Sequence, residues 1–407
     1  MLAAVAACAP SLHTPRLAAA GIAVDDTPAS IRRLDGARIS TATADSIART
    51  LVERHHITGM QVAVVNDGRL AWSAAYGFLI RAPDSAMTTR SVLWAASITK
   101  AVFATHVMQR VAAGTLDLDQ PIATLLPQPL DRYEPYAGKA ALIVHDSAWG
   151  RVTPRMLLSH TSGLLNFANL EPDGKMRLHD TPGRAYRYSG EGFNLLQFVL
   201  EQRDGAPMER TLDSALLKPL GLARTALAYR AEFGPDMADR YGRDGQFIAK
   251  TRRNARAAGS LTTSAEDLAA FLIALMDDRA IPRRARDAMH RPQVHIRTLH
   301  QFDPPHSADS IPLGSTEAEQ AGLAYGIGWG LLTRTKYGPA FFKEGHGDGA
   351  NTFAICFPRR RDCMIILANS DNGEFAFRPL LESVLGNDVT PWTWEGYTEL
   401  LLRAPTD

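Results

Sequence analysis

Cysteine is scarce in this chain, and its scarcity is informative. Of 407 residues only three are cysteine: Cys8, Cys356 and Cys363. They form no C-x-x-C pair, and no H-E-x-x-H motif occurs, so the ligand spacing of a zinc site is missing. Charge of one sign is missing too. The net charge is +1, without the basic excess of a dedicated nucleic-acid binder, so no nucleic-acid partner is expected. No run of eighteen apolar residues occurs, so no membrane-spanning helix is expected. No serine stands in G-x-S-x-G, which excludes a nucleophile elbow. No internal repeat or low-complexity block is visible. Lysine is also rare: only seven of the 44 basic residues.

What is present is a globular composition, 45% hydrophobic and 21% charged. The length exceeds the usual size of one core, so two lobes are expected. Residues 41–57 read as a helix entering a glycine stop. Residues 60–79 read as two strands joined at Asn66-Asp67-Gly68, a strong hairpin signal. Residues 97–113 read as a long amphipathic helix ending at Gly114. The stretch 128–152 lacks periodicity and reads as a loop insertion. Helical patterns dominate from Pro154 to about 220. A further helix opens at 262–276, with Ser264 as N-cap and Asp267 three residues on, much like a capping box. Residues 298–320 read as a loop. Strands return at 325–334, 339–347 and 352–370, the last a hairpin around Pro358 to Asp362. Strands at both ends and helices between them imply one sheet split in sequence, with a helical lobe inserted. The expected class is α/β (α+β): an antiparallel sheet flanked by helices plus an all-helical lobe. The expected sheet lobe is 41–110 and 255–390, and the helical lobe 111–254. Residues 1–40 form a terminus and tether, and 391–407 a tail.

One of the seven lysines stands in "WAASITKA", residues 94–101. At i and i+3 on a helix, Ser97 and Lys100 share a face. A desolvated lysine can lose its proton, and a neutral amine beside a hydroxyl is a base beside a nucleophile. The bland alternative is a polar pair on an exposed helix face. Its place at a strand-to-helix transition, where backbone N–H groups are free, argues against that.

Further stretches follow in order: "GTLDLDQPIATLLP" (114–127), "LLSHTSGL" (157–164), "PGRAYRYSGEGFNLLQFVLE" (182–201), "YGIGWG" (325–330) and "KEGHGDGANTF" (343–353). Together with "SITK" they resemble the penicillin-recognising serine hydrolases. The resemblance is strongest to the branch of class C β-lactamases, D-alanyl-D-alanine carboxypeptidases and related esterases, and it covers roughly residues 45–385. The family pattern is S-x-x-K, then Y-x-N, then a strand bearing K-T-G or H-x-G. The resemblance implies that Ser97 is acylated, that Lys100 assists its deprotonation, and that Tyr188 is a phenolate base or proton shuttle. It puts His346 first in the third motif, as a substrate-orienting group. It implies an oxyanion hole from the N–H of Ser97 and one on the His346 strand, at Gly349. A small acyl compound is the implied substrate, with no metal or organic cofactor. Two departures stand out. Gly190 replaces the Asn of Y-x-N, a substrate-contact position, and glycine cannot bind a substrate amide. Asp348 stands where glycine is expected and could pair with His346 or repel an anion. Esters therefore rank above β-lactams and D-Ala-D-Ala peptides. A non-enzymatic alternative is a sensor that acylates and stays acylated.

The N-terminus reads "MLAAVAACAP". Val5-Ala6-Ala7-Cys8 resembles the lipobox of bacterial lipoproteins, which implies lipidation of Cys8, attachment to the membrane and a place on the periplasmic side of the cell envelope. The stretch is short and lacks a positive n-region. A misplaced start, or a frayed Ala-rich terminus on a cytoplasmic protein, are the alternatives. Cys356 and Cys363 flank one hairpin turn. They read by default as two buried free thiols, with a cross-strand disulfide as the alternative. "PRRRDC" reads as a solvated turn rather than an anion patch. "TPWTWEGY" (390–397) reads as packing on the sheet rather than as a ligand site.

Overall fold

Alternating apolar residues build a nine-stranded sheet in the computed structural model, which describes residues 30–249, 254–302 and 316–397. Its strands are β1 Gly59–Asn66, β2 Arg69–Arg81, β3 Asp84–Ala86, β4 Val294–His295, β5 Leu323–Tyr325, β6 Gly330–Leu332, β7 Ala340–Gly347, β8 Ala350–Phe357 and β9 Asp362–Ala368. Their spatial order is β4-β5-β6-β7-β8-β9-β1-β2-β3, and all pairings are antiparallel. The sheet is thus split in sequence, as expected.

Period-two alternation sorts the side chains to two faces. Ala354, Ile365 and Leu367 pack with helices α2 (Ile98–Ala112) and α4 (Ala265–Met276). Phe353, Ile355, Met364 and Ile366 pack with α1 (Thr41–Arg54) and with Phe377–Leu385. Both faces of β8 and β9 are therefore buried, each large apolar side chain contributing about 1.5–3 kcal/mol. Asp67 and Gly68 both have positive φ, 51° and 75°, the geometry a two-residue I′ turn demands between β1 and β2. Ser264 caps α4 by accepting from Asp267 N at 3.1 Å. Among the described residues, none between Ala86 and Val294 joins this sheet. That segment holds α2, α3 (Gly190–Asp204), α4 and many short helical turns.

Several expectations need correction. The tether ends earlier than read: Ser30–Arg32 and Arg38–Ser40 pair as a hairpin, with Ile31 and Leu34 buried against Leu385 and its neighbours. Residues 1–29, Cys8 among them, lie outside the described residues. Helix α2 is not amphipathic in place, since every residue from Ile98 to Met108 is buried. The loop at 128–152 is wound into four 3₁₀ turns. Within the stretch read as a loop at 298–320, Thr316–Ala321 is helical and 303–315 are not described. The strand read at 325–334 is two strands, turned at Gly328 with φ +77°, where a Cβ would strike α2 at Ala104. The tail is packed as far as Tyr397: Trp392, Trp394 and Tyr397 are buried with Phe353, the sheet-packing role expected of that aromatic stretch. Cys356 and Cys363 face each other in register and form a disulfide, not two free thiols.

Candidate active site

The site starts at a bend. Leu93–Trp94 pairs with Thr262–Thr263, and the chain then turns through Ala96 at φ 44°. A non-glycine residue there is uncommon and strained. The turn leaves Ser97 as the first residue before α2, half-buried at the helix mouth. Lys100, one turn on, donates from Nζ to Ser97 Oγ at 2.9 Å and to Ala258 O at 2.6 Å. Its side chain is buried, and no carboxylate among the described residues forms an ion pair with it. Burial, then the charge of Lys343, pulls its pKa well below the ordinary lysine value.

Tyr188 stands just before α3, whose N-cap is Ser189. Two lysines flank its ring: Lys100 Nζ at 4.9 Å and Lys343 Nζ at 5.1 Å from the centroid. Burial raises the phenol, while the charge of Lys343 draws it back. Its hydroxyl is buried and has no partner at hydrogen-bond geometry among the described residues. His160 stacks on this ring at 4.2 Å. Its Nδ1 accepts from Ser189 N at 3.0 Å, so the proton of the neutral ring belongs on Nε2. Burial and both lysines keep that imidazole neutral.

The third motif is not where the resemblance puts it. His346 turns to Glu374 Oε1 at 2.9 Å and to the Tyr397 hydroxyl at 2.5 Å. Glu374, not Asp348, is thus its acidic partner. The cation over Tyr188 is Lys343, fully buried and ion-paired with Glu344. The signal was in the sequence: Lys343-Glu344-Gly345 is itself K-x-G, three residues before His346. Gly349 fails as an oxyanion donor. It sits in the β7–β8 turn at φ +70°, and its N–H already donates to Asp371 Oδ1 at 2.6 Å. The strand crosses Ser97 earlier, at Gly345, where a Cβ would lie 2.6 Å from Ala95 O and 2.8 Å from Ser97 N. Only glycine permits that approach. Gly190 is close by chain but closed to a larger residue: a Cβ would lie 2.8 Å from the Phe167 ring. Its N–H donates to Asn166 Oδ1 at 2.9 Å. Sequence reasoning therefore found Ser97, Lys100 and Tyr188, which the fold brings together. It missed Lys343, Glu344 and the His160 shelf, although "LLSHTSGL" contains that histidine.

A cavity of about 660 Å³ is walled by Ile80, Trp94, Tyr229, Met237 and Ile248, with Arg240 on its lining; Ser97, Lys100, Tyr188 and Lys343 do not line it. Trp94 donates to Gly259 O at 2.5 Å, and Arg240 lies over its ring at 4.8 Å.

Comparison with known proteins agrees with this geometry. The profile of the family described as Beta-lactamase matches residues 44–385. Penicillin-binding protein 4 of Amycolatopsis lactamdurans is 32% identical over 208 residues, 45% of this chain and 51% of that protein. Esterase EstB of Burkholderia gladioli is 28% identical over 204 residues, 46% of this chain and 52% of that one. The chain thus spans about half the length of these curated relatives. Among solved structures, an octameric penicillin-binding protein homologue from Pyrococcus abyssi superposes with TM-score 0.70 at 18% identity, covering 88% of this chain and 80% of that one. At that identity the likeness concerns the fold.

Proposed function

Because the chain belongs to the beta-lactamase family, whose members are serine hydrolases, we propose that it hydrolyses small acyl esters through an acyl-enzyme on Ser97. The observation that carries this reading is the buried Lys100 amine 2.9 Å from Ser97 Oγ, with no ion-pair partner among the described residues. Neutral Nζ takes the Ser97 proton as Oγ attacks the ester carbonyl. The tetrahedral oxyanion is met by the Ser97 N–H and by a backbone N–H of the Gly345–His346 stretch that crosses it. The proton returns through Lys100 and Tyr188 to the departing alkoxide. Water then attacks the acyl-enzyme by the reverse path, releasing the acid and restoring Ser97. The Lys343 ammonium stabilises negative charge on the Tyr188 phenol or on the substrate.

Esters are favoured over amides by Gly190. Residue 190 brings no side-chain amide to an amide substrate, and the Oδ1 of nearby Asn166 is already taken by the Gly190 N–H, which leaves polar groups unpaired at about 1–3 kcal/mol. That is roughly one to two decades in rate. The similarity to an esterase supports this choice, and the similarity to a penicillin-binding protein supports the alternative of β-lactam acylation. The Cys356–Cys363 disulfide favours an oxidising compartment, consistent with a lipidated Cys8 in the cell envelope. The test is covalent. A fluorophosphonate probe should add one label to Ser97, and Ser97→Ala should lose both label and turnover while keeping its melting temperature. Labelling elsewhere with activity intact would refute the mechanism. A chromogenic cephalosporin turned over as efficiently as a short-chain p-nitrophenyl ester would replace esterase by β-lactamase.

A further inference from the structure

Two ammonium groups converge on one phenol, at 4.9 and 5.1 Å from the Tyr188 ring. Two buried ammonium groups flanking one ring repel each other, which favours loss of a proton from one of them. Local geometry decides which. Among the described residues, Lys100 has only a hydroxyl and a carbonyl as acceptors. Lys343 has the Glu344 carboxylate in direct contact and the Glu344 carbonyl at 3.2 Å. We propose that Glu344 is the positioning residue of this site: it holds Lys343 as an ammonium against Tyr188, so that Lys100 is the lysine left neutral to receive the Ser97 proton. The proposal rests on the acyl-enzyme reading above.

Neighbours along a strand ordinarily point to opposite faces. Here β6 pairs with β7 only as far as Phe342, opposite Gly330, and just past that ladder end Lys343 and Glu344 reach each other. Each element around Lys343 contributes a titratable group. Lys100 comes from α2, Tyr188 from the start of α3, Tyr325 from β5, His160 from the 157–164 turn, and Glu395 from the Trp392–Glu395 helix. Burial alone would pull Lys343 down. Glu344, with smaller help from Tyr188 and Tyr325, overturns that and sends it up. Glu395 does not compete for the ammonium. Both its carboxyl oxygens are buried without a hydrogen-bond partner among the described residues. Burial, reinforced by the Glu344 charge, raises it well above the usual carboxylate range. It is therefore held as a neutral acid, and the carboxylate in direct contact with Lys343 is that of Glu344.

The experiment is the pH profile of kcat/KM for p-nitrophenyl acetate in Glu344→Gln, a change that keeps shape and removes charge. Without its counter-ion, Lys343 is governed by burial and loses its proton at lower pH. A new alkaline limb should appear: about 100-fold below wild type near pH 9, and within about 10-fold near pH 6, where the ammonium returns. Glu344→Asp should show the same limb displaced to higher pH, and it serves if the glutamine variant does not fold. Fluorophosphonate labelling of Ser97 and a melting curve are run on every variant. Profiles parallel to wild type, or a uniform loss at all pH values in folded variants, would overturn the proposal. Absence of Ser97 labelling in the wild type would instead overturn the acyl-enzyme reading beneath it.

Discussion

The β8–β9 hairpin and the Ser97 cluster are about equally withdrawn from water, yet they are filled in opposite ways. In the hairpin, Phe353, Ile355, Ile365 and Ile366 lie in ordinary strand geometry with apolar neighbours on both faces. In the cluster, two lysines, Glu344, Tyr188 and His160 are buried around a positive-φ alanine and a glycine pressed against a helix start. Burial stabilises the first region. In the second it withdraws stability and shifts proton affinities, which is what an acid–base site needs. A stable scaffold and a strained, charged pocket therefore share one sheet, with the change occurring along β7 just after Phe342.

Replacing the buried amine by hydrocarbon should break this contrast most sharply. Lys100→Met should lower kcat by about 10³-fold or more, as loss of a general base does. It should also raise stability by about 1–4 kcal/mol, read by urea melts, because a buried polar group gives way to an apolar one. The sign follows from linkage. The folded state holds Lys100 with a depressed pKa, so at neutral pH the unfolded chain binds the extra proton. Wild-type stability should accordingly recover as pH rises toward the ordinary lysine range, and the Lys100→Met variant should lack that component.

Next in size, Gly345→Ala drives a methyl group into Ala95 O and Ser97 N. It should reduce kcat by about 100-fold, since the displaced groups include the Ser97 N–H, the oxyanion donor of the proposed mechanism. Its counterpart Ile365→Ala should destabilise by about 2–5 kcal/mol and leave the rate per folded molecule unchanged. Steady-state kinetics beside melts of the two proteins would show activity and stability failing separately. Equal effects on both quantities in both variants would erase the distinction between the regions.

A smaller effect is expected at Gly190. Restoring asparagine there should not by itself favour amides, because Phe167 fills the space. Combined with Phe167→Ala, it should narrow the ester-to-cephalosporin ratio of kcat/KM by about 10-fold. A single Gly190→Asn variant that narrows it equally would show that the Phe167 ring yields easily. Smallest of all for catalysis, Cys356→Ser with Cys363→Ser should leave kcat/KM unchanged. It should remove about 2.5 kcal/mol of stability, the value for so short a closed loop. Alkylation without reductant followed by intact mass should find neither cysteine modified in the wild type.

How much of this was legible depended on range. The Asp67-Gly68 turn, the Ser264 cap and the Ser97–Lys100 pair were readable because each is settled within four residues by backbone geometry. The order of motifs made Tyr188 readable as well. The sequence favoured His346 over Lys343 because both lie on one strand, and only the register of β7 against α2 selects between them. Glycine signals were ambiguous for the same reason. Gly345 and Gly349 look alike in sequence, but one faces Ser97 and the other gives its N–H to Asp371.

By itself, then, the chain's sequence determined the main hairpins, the capped helix at Ser264, the split sheet and the Ser97–Lys100 pair, since these rest on hydrophobic period, turn chemistry and i to i+3 spacing. Tertiary structure alone decided which cation faces Tyr188, which lysine is left neutral, which amide crosses Ser97, and that Cys356 and Cys363 are joined. Those outcomes depend on strand register and on distant partners such as Asp371, Glu374 and Glu395, and on the loss of water around charges that no local pattern records.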